Sequence, residues 1–263
     1  MTNLPWFRAR RAKGMTSLFV ATLLITLGTL ACSSLAAAQS AEQAKEITKS
    51  LGSQSQSVVS RLSELNHLAA DEWRFHSGDI PHGEAVNLDD SSWKEVKGGT
   101  ETGEDAQWFR RWIEVPGTLH GYDLTGARIW FQFHANANGP MPQIIYFNGR
   151  RVALGDDLEP IVLFDDAKPG DKVLIAVKLL HTVDKKTFGG TDLKIDFAEN
   201  RPNPEDLRLE LLTVAELIPS ISTNKPADTA TLEKAAGTVD LAALDTADQS
   251  RFDVSLKQAQ STL

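Results

Sequence analysis

Two short β-type runs, Gln143 to Phe147 and Arg150 to Leu154, are separated by nothing but Asn148 and Gly149. That dipeptide constrains the fold more than any other stretch. A two-residue connection of type I′ needs positive φ at both central positions, which Asn and Gly tolerate and most residues resist. The two runs are therefore antiparallel neighbours in one sheet. Lys168-Pro169-Gly170-Asp171 marks a second tight turn, leading into Val173 to Val177. Ile129 to Phe133 is a third apolar run, and Leu193 to Phe197 alternates as a half-buried strand does. From Glu72 to Ala198 no helical periodicity interrupts these runs. Several short strands without crossover helices argue for a β-sandwich or jelly roll rather than an α/β sheet.

The flanks are helical. Over residues 39–70, Ile47, Leu51, Val58, Leu62 and Leu65 recur near a 3.6-residue spacing, with Gly52 as a weak point. A second helix opens with Asn203 as cap, Pro204 in the first turn and Glu205 and Asp206 against the helix dipole. Its stripe is Leu207, Leu211, Val214, Ala215 and Ile218, and Pro219 is expected to end it. Residues 222–229 read as a linker. Residues from Leu232 to Leu263 read as a weakly amphipathic, loosely helical acidic tail.

The first 38 residues are of another kind. Arg8, Arg10, Arg11 and Lys13 precede an apolar run from Leu18 to Ala31, too short to span a hydrocarbon core of ~30 Å. Ala36-Ala37-Ala38 supplies small residues for cleavage before Gln39, which completes a secretory signal peptide. The chain is expected to be exported, to the periplasm or beyond. Lipid anchoring at Cys32 in Leu30-Ala31-Cys32, or twin-arginine export through Arg10-Arg11, are the less favoured variants. Cys32 is the single cysteine, so cleavage leaves no disulfide and no cysteine nucleophile. Losing the four basic residues moves the formal charge from −8 to −12. An acidic chain without a basic stripe is a poor nucleic-acid binder.

The order of the pieces is similar to a known pattern. Asp89-Asp90-Ser91-Ser92-Trp93, Trp108-Phe109-Arg110-Arg111, Phe147-Asn148-Gly149-Arg150-Arg151-Val152 and Pro169-Gly170-Asp171-Lys172-Val173-Leu174 together resemble the N-terminal sugar-binding-type jelly roll of family 2 glycoside hydrolases. Trp73-Arg74-Phe75-His76, and Phe197-Ala198-Glu199-Asn200-Arg201-Pro202 before the capped helix, look more like the N-terminal region of bacterial family 38 α-mannosidases. The resemblance spans about residues 58–221. It implies a jelly-roll β-sandwich of the galactose-binding-domain type over residues 71–200. It also implies a partner, a catalytic glycoside hydrolase domain or subunit, and contact with mannose-containing glycans. In that family catalysis sits in a later α/β domain holding zinc through a His-x-Asp segment. None of the six histidines here is followed two positions later by Asp. No zinc ligand, cofactor or nucleophile is therefore expected in this chain, whether it is a fragment, a split subunit or a free module.

Candidate sites follow from side-chain chemistry. Glycosidases need two carboxylates ~5 to 10 Å apart. The adjacent pairs Asp89-Asp90, Asp156-Asp157 and Asp165-Asp166 read first as turn formers, with calcium binding by the last two as a weaker alternative. His76, His82, His120, His134 and His181 are too scattered for a metal site. Trp130 reads as core. Trp108, Arg110 and Trp112 share one strand parity and mix aromatic with basic groups, which suits a binding surface or domain interface; the alternatives are a buried aromatic core and arginines, Arg110 or Arg111, that pair with nearby acids. His134, Asn136 and Asn138 read as a polar loop ending at Gly139-Pro140, which either lines a sugar-binding rim or reflects turn chemistry alone. These six residues are the candidate glycan or interface contacts.

Overall fold

The computed structural model describes residues 42–69, 72–197 and 201–263. The signal peptide, the alternatives at Arg10-Arg11 and Cys32, and residues 198–200 of the family 38-like run lie outside them. The chain divides into two units, Met1–Ser50 and Leu51–Leu263. In the first, residues 42–50 are helical.

The centre of the second unit is a β-sandwich. Six strands form one sheet in the order β2 (Lys94–Val96), β1 (Trp73–Ser77), β4 (Gln107–Glu114), β11 (Lys172–Leu179), β8 (Gln143–Phe147) and β9 (Arg150–Gly155). Four form the other, in the order β10 (Ile161–Phe164), β7 (Arg128–Asn136), β12 (Thr187–Asp196) and β3 (Thr100–Glu101). The remaining pair, β5 (Thr118–Leu119) and β6 (Tyr122–Asp123), makes a small hairpin of its own. All pairings between named strands are antiparallel. From β2 onward the chain passes between the sheets at almost every step, the alternation of a jelly roll.

The two turns read from sequence occupy their expected conformations. Asn148 and Gly149 have φ of 48° and 79°, and β8 and β9 flank them. Asn148 also holds β11, because its side-chain oxygen accepts from the Leu174 amide at 2.9 Å. Gly170 has φ of 86°, and the Asp171 amide closes its turn on the Lys168 carbonyl at 2.9 Å.

Between the sheets, alternate residues meet. Trp73 lies edge-on to Phe133 at 5.6 Å, Phe133 stacks on Phe188 at 5.0 Å, and Phe109 lies 5.1 Å from Phe188. These are favourable aromatic separations. Lys186 is fully buried at one end, and its ammonium donates to the carbonyls of Gly103, Glu104 and Asp105 at 3.2, 2.7 and 2.8 Å. One charge thus satisfies three backbone acceptors.

Five helices flank the sandwich: α1 (Ser53–Ser63), α2 (Pro204–Ile221), α3 (Lys225–Thr238), α4 (Ala242–Asp245) and α5 (Gln249–Gln260). Asn203 caps α2 as expected, accepting from the Glu205 amide at 3.0 Å. Pro219 does not end α2, which runs two residues further to Ile221. A proline in the last turn removes one amide donor without blocking the residues beyond it. The linker read over 222–229 is helical from Lys225, leaving three connecting residues. Nor is the segment from Leu232 to Leu263 loose. Leu232, Ala235, Ala236, Phe252, Leu256 and Ala259 are buried among α1, α2, α3 and α5. Small alanines let these helices approach closely, so a weak apolar stripe suffices. Phe252 lies edge-on to Tyr122 at 5.4 Å, and the Asp123 amide donates to Gln249 at 3.0 Å, tying α5 to the β5–β6 hairpin. The turn of that hairpin, His120-Gly121, lies against the backbone of Leu244 in α4. Glu233 of α3 takes the amide of Gly52 at 2.8 Å and the hydroxyl of Ser55 at 2.6 Å, supplying a carboxylate at the α1 N-terminus.

Candidate functional site

Strand β4 decides where the outer face of the six-stranded sheet is covered and where it is open. Trp108, Arg110 and Trp112 do point to one side, but their surroundings differ. Residues 78–93 fold back across that side. Asp89 accepts from the Ser91 amide at 3.0 Å and the Trp93 amide closes on the Asp90 carbonyl at 3.0 Å, so the turn delivers Trp93 onto the sheet. Trp93 packs with Trp108 and Ala176, joined by Ile80, Leu88 and Tyr146. Gly83 lies directly on the Trp108 indole, where a Cβ would collide with the ring.

Under this cover Trp108 is 2% exposed and Arg110 1%. Trp108 donates its indole N–H to Asp79 at 3.2 Å. Arg110 donates to the carbonyls of Gly83 at 2.6 Å, Ala85 at 2.9 Å and Leu88 at 3.4 Å, and through Nε to Asp90 at 2.8 Å. Neither presents a surface to a glycan. Both staple the 78–93 segment, which corrects their reading as contact residues.

Trp112, two residues further along, lies beyond the cover and is 43% exposed. It borders an open groove of about 310 Å³ lined by Glu72, Trp73, Arg74, Asp90, Glu95, Arg110, Arg111 and Trp112. The charges lining it are engaged, some in ion pairs and Arg111 by backbone carbonyls. Arg74 of β1 meets Glu95 of β2 at 3.1 Å, a pairing set by the β1–β2 register, which places the two residues opposite each other. Arg111 donates to the carbonyls of Glu72 at 2.6 Å and Ala69 at 3.4 Å. Glu72 takes Lys97 at 3.0 Å, and this hydrogen bond holds its carboxyl below the usual range. A general acid needs the opposite displacement. Lys172 lies 5.7 Å from the centre of the Trp112 ring and is held there by Glu114 at 3.1 Å.

The other three candidates are elsewhere. His134 and Asn136 belong to β7 itself rather than to a loop, and only Asn138 follows the strand. They occupy the outer side of the four-stranded sheet, across the sandwich from Trp112. His134 Nε2 lies 2.9 Å from Asp192, whose carboxyl is lowered chiefly by that hydrogen bond. Trp130 is also on this outer side, half-buried with Arg128 5.7 Å from its ring, and not in the core. The inward positions of β7 are Ile129, Phe131 and Phe133. The paired aspartates serve as turn and ion-pair residues: Asp165 meets Arg128 at 2.6 Å and Asp166 meets Lys168 at 3.5 Å, while Asp157 adopts φ of 48°. Among the described residues no group of three or more His, Cys, Asp or Glu is arranged to hold a metal ion. Nor is any helix among them long and apolar enough to cross a membrane.

Arg74 and Glu95 escaped the sequence reading, because their meeting depends on strand register. Lys186 and Glu233 left no signal either, since each acts across more than 80 residues of chain.

No family model matches the chain, and no curated protein does. Solved structures with partial likeness include a family 2 glycoside hydrolase from Bacteroides cellulosilyticus, at 21% identity and a TM-score of 0.40, over 51% of this chain and 21% of that one. A β-glycosidase from Bacteroides vulgatus shares 13% identity at a TM-score of 0.37, over 50% and 20% of the two chains. A Bacteroides uniformis β-glucuronidase shares 17% identity at a TM-score of 0.35, over 48% and 17%. The chain thus spans about a fifth of the length of these neighbours. The first of them is described as a family 2 glycoside hydrolase, and none of the three as a family 38 one.

Proposed function

We propose that this chain is an exported, non-catalytic accessory β-sandwich of a glycoside hydrolase-like protein, and that it contacts glycan through the Trp112 groove. The observation that carries the reading is Trp112 itself: an exposed indole at the edge of a groove whose other walls are hydrogen-bonding ion pairs. Sugars offer one apolar ring face and a fringe of hydroxyls, and an aromatic side chain beside fixed polar groups matches both. The groove's carboxylates are each engaged by a cation, which favours binding over bond cleavage. The export reading rests on the basic and apolar pattern of the first 38 residues. The finer assignment, the N-terminal region of a family 38 α-mannosidase with mannose-containing glycans as ligand, rests on the order of motifs and flanking helices.

The purified protein, titrated with manno-oligosaccharides by calorimetry or NMR, is expected to bind weakly, and Trp112→Ala to weaken binding by up to about tenfold, the worth of one aromatic stack. Loss of no affinity in Trp112→Ala would remove the groove from the reading. Incubation with an aryl α-mannoside, with or without zinc, is expected to release no sugar; turnover would overturn the non-catalytic role. Reading the gene beyond Leu263 for a His-x-Asp segment separates a split or longer enzyme from a free binding module.

A further inference from the structure

We infer that the Trp112 groove selects neutral glycans over anionic ones, with the Arg74–Glu95 pair as its discriminating element. This rests on the glycan-binding reading above. Among the described residues the lining carries three guanidinium groups and three carboxylates, Arg74, Arg110 and Arg111 against Glu72, Asp90 and Glu95. Each guanidinium is already engaged: Arg74 by Glu95, Arg110 by Asp90, and Arg111 by the carbonyls of Glu72 and Ala69.

A uronic acid reaching for Arg74 in this groove meets the Glu95 carboxylate beside it, facing the ligand's negative charge, while Arg111 is held by the backbone carbonyls of Glu72 and Ala69. Arg110 is 1% exposed and locked by three carbonyls besides Asp90, so it does not turn outward. Arg74 is the accessible guanidinium. Its bonds to Glu95 and to the Trp93 carbonyl both run through Nη1. Its other N–H groups, and the second oxygen of Glu95, offer a donor and an acceptor side by side. A pair of neighbouring hydroxyls, which donate as well as accept, meets both without breaking the ion pair. A carboxylate only accepts, and it is repelled by Glu95. At a separation of a few ångströms in a partly wet groove, that repulsion corresponds to roughly tenfold weaker binding or more. Lys172 by the Trp112 ring disfavours positive ligands, and its own pairing with Glu114 at 3.1 Å places a further carboxylate beside it that an anionic ligand would face.

The test compares two probes of the same linkage and ring stereochemistry that differ at C6: β-1,4-linked manno-oligosaccharide, with a hydroxymethyl group, and β-1,4-linked oligomannuronate, with a carboxylate. Titrated into the full protein at low salt, the neutral oligomer is expected to bind at least about tenfold more tightly, and the gap to narrow as salt is added. In Glu95→Gln, whose fold is verified by circular dichroism, the ratio is expected to shift toward the mannuronate by about tenfold. Equal or tighter binding of mannuronate by the unaltered protein overturns the inference and leaves the glycan reading standing. A ratio unmoved by Glu95→Gln overturns the role of the pair. Binding of neither oligomer sinks the glycan reading itself.

Discussion

Replacing Arg110 by methionine tests whether this side chain is a staple or a ligand contact. Methionine keeps an unbranched apolar stem but is shorter and removes every donor. The guanidinium holds Asp90 at 2.8 Å, and the carbonyls of Gly83 and Ala85 at 2.6 and 2.9 Å, while 1% exposed. Removing one partner of a buried ion pair typically costs about 3–5 kcal/mol. Each carbonyl left without a donor adds up to about 1–3 kcal/mol where water does not reach it. The 78–93 segment is a surface cover and can lift to hydrate its carbonyls, so the terms do not add in full. An overall loss of about 3–5 kcal/mol is expected, or roughly 6–20 °C in Tm for a domain of this size. Urea unfolding of Arg110→Met, Asp90→Asn and the double variant would measure it, with a coupling above about 1 kcal/mol expected between the two positions. Lifting the cover would also wet Trp93 and Trp108, seen as a red shift of tryptophan fluorescence. A loss below about 1 kcal/mol with unchanged fluorescence would refute the staple and return Arg110 to the list of ligand contacts.

Three further outcomes test the parts that frame the site. Gly121 has φ of +88°, and a Cβ there would collide with the Leu244 carbonyl oxygen, so Gly121→Ala is expected to loosen α4 from the β5–β6 hairpin and lower stability by about 2 kcal/mol or more in thermal unfolding. Lys186→Met removes the one ammonium shared by three loop carbonyls, with an expected loss of about 3 kcal/mol measured by urea titration. Burial lowers the His67 pKa below its ordinary value of 6.5. Between that folded value and 6.5 the unfolded chain binds more protons, so stability should fall as pH drops below about 6.5, and His67→Gln should flatten that part of the urea-midpoint profile between pH 5 and 8.

The parts of this fold that were legible in the sequence are those whose cause is local. Asn148-Gly149 announces its hairpin because positive φ is a property of two residues, and Asn203 announces α2 because a cap acts within one turn. The parts that were not legible depend on what arrives from elsewhere. Strand parity placed Trp108, Arg110 and Trp112 on one face, but parity does not say that residues 78–93 return to cover two of them. The C-terminal helices looked weakly amphipathic because their buried positions are largely alanines, whose contribution appears only when another helix lies close by. Trp130 is a different case: its parity with Arg128 and Gln132 already put it on the outer side, and its hydrophobicity alone had assigned it to the core. The Arg74–Glu95 pair needed a register that no turn in the sequence specifies.

The groove and its cover are therefore one structure rather than two. Asp90 and Arg110 hold the 78–93 segment down, and the same two residues line the groove that Trp112 borders. The segment ends at Trp93, whose carbonyl Arg74 also contacts, and Glu95, two residues on, completes the discriminating pair. A ligand seated against Arg74 and Glu95 would rest on a wall whose position is set by the staple. Stability and binding are then linked: ligand that favours the closed cover should raise the unfolding midpoint by the mass-action amount for its concentration, and should do so less in Arg110→Met, where the wall is no longer fixed. That difference would not arise if the groove were an incidental hollow beside a structural loop.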